Sequence, residues 1–127
     1  MRRLLVTLIS ICLVAGLAGC KLVLPQPVSA TVEQYKSGSN AQPVELSSIQ
    51  LVSLSGWFSQ RASGWERSVV TYVPRTVIRI KHSNGDTSTL NVLGNSVIAN
   101  NQEGQYVQQF SPEDIRALYA VLAITAG

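Results

Sequence analysis

The sequence predicts an α+β domain, in which a small, antiparallel and strongly bent β-sheet of six to seven strands carries one C-terminal helix. Short segments rich in Val, Ile, Thr and aromatic residues follow one another, and Gly, Asn or Pro separates them, as is typical of strands joined by turns. The last segment instead shows the spacing of an amphipathic helix. The chain has 127 residues, of which 46% are hydrophobic and 13% are charged. This composition indicates one globular domain rather than a disordered chain or a multidomain enzyme.

Six segments within residues 44–127 are predicted to form the strands. They are residues 49–58, 68–73, 76–82, 88–93, 97–100 and 105–110. Residues 28–32 alternate between apolar and polar side chains in the same manner. The sequence leaves open whether this earlier segment joins the sheet as an edge strand.

The register of the hairpin around Asn84-Gly85 can also be predicted. A two-residue loop would divide the apolar side chains of its strands between both faces of the sheet. A three-residue loop at residues 83–85 pairs Ile78 with Leu90 and gathers on one face Ile78, Ile80, Leu90 and Val92. Because this face would be buried, we expect the three-residue loop, with Gly85 in the left-handed conformation.

The opposite face of this hairpin is predicted to be polar and mildly basic. It carries Arg79, Lys81, Thr89 and Asn91. Together with Arg75, the two basic residues form a strip that could bind an acidic partner or anionic lipid headgroups. Charged strand faces are also ordinary solvated surface that prevents edge-to-edge pairing, and we favour this second interpretation.

The C-terminal helix is predicted from its start and from its apolar stripe. Ser111 suits the N-cap, Pro112 the first helical position, and Asp114 completes a capping box. The stripe consists of Ile115, Leu118, Tyr119 and Leu122. Six or seven strands followed by a terminal helix resembles the pleckstrin-homology-like architecture, in which a helix closes a bent sheet.

The N-terminus has the features of an export signal. Met1-Arg2-Arg3 is basic, and residues 4–18 are apolar and uncharged. This run is short for a membrane span, which needs about 20 helical residues, but it suits a signal peptide. It ends in Leu17-Ala18-Gly19-Cys20, where small residues precede a thiol. Over these first 20 residues the chain resembles the bacterial lipoprotein precursors, whose lipobox it matches.

The resemblance implies cleavage before Cys20, acylation of Cys20 and a lipid anchor in a membrane that faces the periplasm. Lys21 at the next position resembles the lipoproteins that Gram-negative bacteria sort to the outer membrane. The chain would then consist of a signal peptide (residues 1–19), a lipidated N-terminus with a proline-containing tether (residues 20–43) and a periplasmic α+β domain (residues 44–127). Because Cys12 leaves with the signal peptide, no disulfide is expected in the mature chain.

Charge and titratable residues argue against several functions. Without Arg2 and Arg3, the chain has eight basic and seven acidic residues, a net charge of +1 that does not indicate nucleic-acid binding. His82 is the one histidine, and the only cysteine of the predicted mature chain is the acylated Cys20, so a metal site is not expected. We expect His82 to be solvated at the end of its strand.

Candidate catalytic groups occur without a motif that would join them. His82 could form a triad with a serine and either Asp86 or Asp114, and Glu66 and Glu103 could act as paired carboxylates. No nucleophile elbow and no glycine-rich phosphate loop accompanies them. The sequence therefore predicts a protein that is not an enzyme and that needs no cofactor.

One repeated tripeptide marks a candidate binding site. Ser55-Gly56-Trp57 and Ser63-Gly64-Trp65 lie eight residues apart, with Arg61 between them. Both tryptophans are expected near strand ends that flank a loop. Two indole rings and a guanidinium could form a stacking surface for a sugar or for a partner's side chain. The alternative, which the usual burial of Trp favours, is that the indoles fill the core.

These observations lead to three hypotheses for the function. The one we favour is a membrane-anchored envelope lipoprotein that binds a protein partner, either as the accessory subunit of a complex or as an immunity or exclusion factor. The second is a glycan-binding lipoprotein that uses Trp57 and Trp65. The third is a small periplasmic hydrolase.

Overall fold

The computed structural model describes residues 20–36, 39–40 and 42–124. The predicted signal peptide at residues 1–19 lies outside the described residues. The strands are β1 (Pro27–Lys36), β2 (Ser39–Asn40), β3 (Val44–Glu45), β4 (Glu66–Arg67), β5 (Thr76–His82), β6 (Thr87–Leu93), β7 (Ser96–Asn101) and β8 (Gly104–Gln109). The helices are α1 (Ser48–Ser59), between β3 and β4, and α2 (Pro112–Leu122), after β8.

The strands form an antiparallel sheet in the order β2-β1-β5-β6-β7-β8-β4. β3 also pairs with β1, at residues 31–32, on the side away from β5. Both helices lie on one face of this sheet, which we call the inner face. The core lies between the helices and the inner face of the sheet. It includes Leu54 and Phe58 of α1 and Leu118 and Leu122 of α2. The predicted α+β class is confirmed, although the described residues contain two helices where one was expected.

The predicted register of the β5–β6 hairpin is confirmed. Ile78 lies opposite Leu90, and the loop contains residues 83–85. Gly85 has a φ of +90°, as this bulged loop requires. The four predicted core side chains, Ile78, Ile80, Leu90 and Val92, are all buried. Burial of the apolar set therefore selected the loop length.

The predicted strand at residues 49–58 is wrong, because these residues form α1. Ser47 caps the helix, and its side chain and that of Gln50 form a reciprocal capping box. Trp57 and Phe58 follow Leu54 by three and four residues, and all three are buried on the helix side that contacts the core. The β-branched and aromatic composition of the segment is thus outweighed by its cap and by its helical spacing.

The predicted strand at residues 68–73 is also wrong. After β4, residues 68–75 carry the chain from the edge of the sheet back to β5, over the face opposite the helices, which we call the outer face. Asn91, predicted to be exposed there, is buried, and its Oδ1 accepts a hydrogen bond from the Arg75 amide at 3.2 Å. Val77 and Ile98 are the cross-strand neighbours of Asn91 on the outer face, and both are also buried.

Part of the predicted tether is ordered in the fold: residues 28–32, whose place the sequence left open, lie within β1, and residues 20–26 are hydrogen-bonded to the domain. β1 pairs with β5 along its length, and its first residue is Pro27, a position where a strand tolerates a missing amide donor. Residues 20–26, which we call the N-terminal strap, are held to the domain at both ends. The Leu22 amide donates to the Ala62 carbonyl at 2.7 Å, and the Gln26 carbonyl accepts from the Ser83 amide at 2.9 Å.

The β5–β6 register yields a paired test. Ile80→Asp is expected to lower the free energy of unfolding by about 3–5 kcal/mol, since the substitution buries a carboxylate and loses packing. Lys81→Asp, at the neighbouring exposed position, should change it by less than about 0.5 kcal/mol. Urea denaturation measures both values, and equal midpoints for the two variants would contradict the register.

Candidate functional site

The two tryptophans of the repeated tripeptide are buried in the core. Trp57 lies in α1 and donates its Nε1 hydrogen to the Asp114 carbonyl at 2.9 Å. Trp65 is 0% exposed, stacks on Phe58 with ring centroids 5.3 Å apart, and donates its Nε1 hydrogen to the Arg61 carbonyl at 2.8 Å. The indoles therefore form no exposed stacking surface, and the expectation that both flank strand ends is wrong for Trp57.

The two copies of the tripeptide have different structural roles. Gly56 lies inside α1, and a Cβ there would meet no atom within 4 Å. Gly64 has a φ of +89°, and a Cβ there would lie 2.7 Å from Nε2 of Gln108. The second glycine is thus favoured by its backbone conformation, whereas the first is not, and the Gln108 side chain would have to move to admit a Cβ at position 64. The repeat is not evidence of a two-fold binding site.

Arg61 connects the end of α1 to the first turn of α2. Its guanidinium donates to the Trp57 carbonyl at 2.9 Å and to Oδ1 of Asp114 at 2.7 Å, and it lies 4.6 Å from the centre of the Trp57 ring. The hydrogen bond from Arg61 holds the pKa of Asp114 below its ordinary value, against a smaller opposing effect of desolvation. Arg61 therefore acts first as an internal connection between the helices.

A polar cleft of about 450 Å³ opens beside Arg61. We call it the anchor cleft because its wall includes Lys21, the residue that follows the predicted acylation site Cys20. Its lining is formed by residues 59–63, residues 108–111, Lys21 and Asp114. Two polar atoms at the cleft, Nε of Arg61 and Oε1 of Gln108, are buried without a hydrogen-bond partner among the described residues. Both atoms lie beneath the surface of the cleft, so neither is presented to solvent there.

The predicted basic strip lies on the outer face, and its three side chains are exposed. Arg79 is paired with Glu33 of β1, with 3.1 Å between Nε and Oε1. This hydrogen bond, with a second from the Tyr35 hydroxyl, lowers the pKa of Glu33. The positive charge of Arg79 is therefore largely balanced by the carboxylate of Glu33. Arg75 and Lys81 are the other exposed cations of the strip.

Exposed valines lie next to this strip on the segment that crosses the outer face. Val69 is 98% exposed, Val70 59% and Val73 77%. Side chains of the sheet hold the segment that carries these valines. Nε2 of Gln105 donates to the Val70 carbonyl at 2.9 Å, and Nδ2 of Asn100 donates to the Tyr72 hydroxyl at 3.1 Å. We call Val69, Val70, Val73 and Arg75 the outer-face patch. The sequence does not predict this patch, because the strand expected at residues 68–73 would bury every second side chain of the segment.

His82 is buried, and the expectation that it is solvated is wrong. It is 3% exposed, its Nδ1 lies 2.9 Å from the Pro25 carbonyl, and its Nε2 lies 2.7 Å from Oγ of Ser88. Because a carbonyl only accepts, Nδ1 carries a hydrogen and donates to Pro25. The ring therefore joins the N-terminal strap to the β5–β6 hairpin.

The acidic residues considered for catalysis are not assembled around His82. Asp86 closes the hairpin and accepts from Nδ2 of Asn84, and Asp114 pairs with Arg61. Glu66 lies opposite Val107 of β8, and Glu103 lies in the turn before β8. Four residues separate Glu103 from Val107, so the two glutamates are about 13 Å apart along the direction of β8. Within the described ranges, no three His, Cys, Asp or Glu side chains are grouped so as to hold a metal ion.

Comparisons with known proteins add no relative. No protein-family model, no curated protein and no solved structure matches the chain. Over the part of the chain that the structure describes, no helix is long and apolar enough to cross a membrane. The resemblances to the lipoprotein precursors and to the pleckstrin-homology-like architecture stay predictions.

The burial of Trp65 predicts a large effect on folding. Trp65→Ala is expected to lower the free energy of unfolding by about 3–5 kcal/mol, because it leaves a cavity among aromatic rings. Val69→Ala, at a 98% exposed position, should change it by less than about 0.5 kcal/mol. Thermal and urea denaturation would show this difference, and a Trp65→Ala variant as stable as the parent chain would contradict the placement of the indole.

The Arg61–Asp114 pair predicts a pH dependence of stability. A carboxyl whose pKa is lower in the folded chain than in the unfolded chain stabilises the fold above the unfolded value, and this contribution is lost as the pH falls through the folded value. Asp114→Asn should therefore lose less stability than the parent chain as the pH drops below about 4. Identical acid slopes for Asp114→Asn and the parent would rule out this contribution.

Proposed function

We propose that the chain is a bacterial envelope lipoprotein, anchored by acyl groups on Cys20, whose domain binds a protein partner and does not catalyse a reaction. In this proposal residues 1–19 are removed, and the mature chain lies on the periplasmic side of the outer membrane. The sharp bend that the sequence predicts for the sheet belongs to the same proposal. The partner is either a complex to which the domain is an accessory subunit, or a protein that it blocks as an immunity or exclusion factor.

The position of Cys20 supports the anchor. Cys20 is half-buried at the edge of the sheet, where it pairs with Trp65 next to β4. An acylated residue must lie where lipid can reach its side chain, and an edge position meets this condition. Several acyl chains, each contributing about 0.8 kcal/mol per buried CH₂, make such attachment effectively permanent.

The outer-face patch is the observation that carries the binding proposal. Its three valines are exposed, although the segment that carries them is bound to the sheet at the Ser68 amide, the Val70 carbonyl and the Arg75 amide. Fixed apolar side chains bind with a small loss of conformational freedom, and exposed apolar groups beside charges are typical of protein contact sites. Arg75 at the border of the patch favours a partner surface that is apolar at its centre and acidic at its rim.

The proposal predicts a site-specific crosslink. A photoreactive amino acid in place of Val70 should give one defined protein adduct in intact cells, whereas the same group in place of Glu113, on α2 and so on the helix side of the sheet, should not. In the purified complex, Val73→Asp should weaken binding at least about tenfold, or about 1.4 kcal/mol, by placing a carboxylate in the apolar contact.

Stability is the control for this experiment. Val73 is 77% exposed, so Val73→Asp should change the free energy of unfolding by less than about 0.5 kcal/mol. Adducts of equal yield from positions 70 and 113, or unchanged affinity in a well-folded Val73→Asp variant, would reject the outer-face patch as the binding surface.

A further inference from the structure

We infer that acylated Cys20 holds the domain directly against the membrane, with the anchor cleft facing phosphate-containing lipid headgroups. This inference rests on the proposed acylation of Cys20. It differs from an ordinary tethered arrangement, in which the domain moves freely above the bilayer.

Cys20 is itself part of the folded structure. Its amide donates to the Trp65 carbonyl, and its carbonyl accepts from the Trp65 amide at 3.1 Å. Two residues later, the Leu22 amide donates to the Ala62 carbonyl at 2.7 Å. An N-acylated cysteine keeps one N–H, so acylation of the amine preserves the first of these hydrogen bonds. No spacer therefore separates the acylated residue from the domain.

The rest of the N-terminal strap prevents the domain from swinging away. Leu22 is buried, and Pro25 and Gln26 bind His82 and Ser83 at the far end of the strap. A flexible tether over residues 21–43 would have reached about 75 Å when fully extended. With the strap docked, the distance between membrane and domain is instead limited to the reach of the Cys20 side chain.

The surface around Cys20 has the chemistry of a headgroup contact. The anchor cleft, which contains Lys21, is lined mainly by Ser and Gln side chains, and its charged groups are Lys21, Arg61 and Asp114. Two cations against one carboxylate leave a positive balance, which suits lipid phosphates. Lys21 and Ser63 are exposed at the cleft, so a cation and a hydroxyl can contact lipid phosphates there.

This orientation leaves the proposed binding surface accessible. Cys20 extends the sheet beyond β4, at the edge, so contact with the membrane at Cys20 covers neither face of the sheet. The outer-face patch then projects to the side, at a fixed height above the bilayer. A partner in the same membrane would meet the outer-face patch without any movement of the domain.

The test uses an environment-sensitive fluorophore on the acylated protein. Ser63→Cys places the dye on an exposed residue of the anchor cleft, and Glu103→Cys places it on an exposed turn at the opposite end of β8. Each protein is purified from membranes, and its acylation is verified by intact mass. Both are reconstituted in vesicles of phosphatidylethanolamine and phosphatidylglycerol that contain a headgroup spin-labelled lipid.

We expect the dye at position 63 to lose most of its emission, while the dye at position 103 keeps nearly all of it. Insertion of six Gly and Ser residues between Cys20 and Lys21 should restore emission at position 63, because the acyl group then no longer fixes the domain. Equal quenching at the two positions in an acylated protein, or strong quenching that survives the insertion, would overturn the inference and leave the lipid anchor standing. A chain that carries no acyl group would overturn the proposed anchor, and the inference with it.

Discussion

Trp65 is the residue on which the separate parts of this fold converge. Its ring stacks on Phe58 of α1 and meets Phe110, at the junction of β8 and α2, edge-on with centroids 5.7 Å apart. Its backbone pairs with Cys20, and the next residue begins β4, which pairs with β8. One side chain thus packs on α1 and on the residue that precedes the cap of α2, while its own main chain joins the N-terminal strap to the sheet. The described residues contain no disulfide, so aromatic packing and backbone pairing hold this end of the sheet together.

In the proposed lipoprotein, the same arrangement connects the lipid anchor to the fold. A residue that is to be acylated would ordinarily lie at the tip of a flexible segment, but Cys20 lies beside a fully buried indole. Arg61 reinforces this corner, because it accepts the Trp65 Nε1 hydrogen at its carbonyl and holds Asp114 with its guanidinium. Forces on the membrane-proximal end would therefore act on the core directly. The outer-face patch lies on the other side of the sheet and is free of this constraint.

Elements whose signals are local could be predicted from the sequence. The caps and stripe of α2 lie within 12 residues, and the β5–β6 register follows from which loop length buries Ile78 with Leu90. α1 carried an equally local signal, the capping box of Ser47 and Gln50, but its Ile, Val, Trp and Phe content favoured a strand. The burial of its apolar side against α2 decides the outcome, and that contact joins residues far apart in the chain.

The parts that could not be predicted depend on distant contacts. Pro25 and Pro27 are typical of a linker, yet Pro25 binds His82, 57 residues away, and Pro27 begins a strand. Nothing near His82 in the sequence indicates that its ring is buried. The outer-face patch was hidden for the same reason, since its valines are exposed only because residues 68–75 cross the sheet instead of joining it.

Hydrogen exchange of residues 20–127, measured residue by residue, tests most directly whether the N-terminal strap is part of the fold. The amides of Leu22 and Trp65 donate to Ala62 and Cys20 only when the strap is docked, whereas the Leu90 amide reports on the central sheet. We predict that the Leu22 and Trp65 amides are protected by free energies close to that of Leu90, since all three open only with the core. Exchange of the Leu22 and Trp65 amides at the rate of an unstructured peptide, with Leu90 still protected, would show that residues 20–26 are a tether after all.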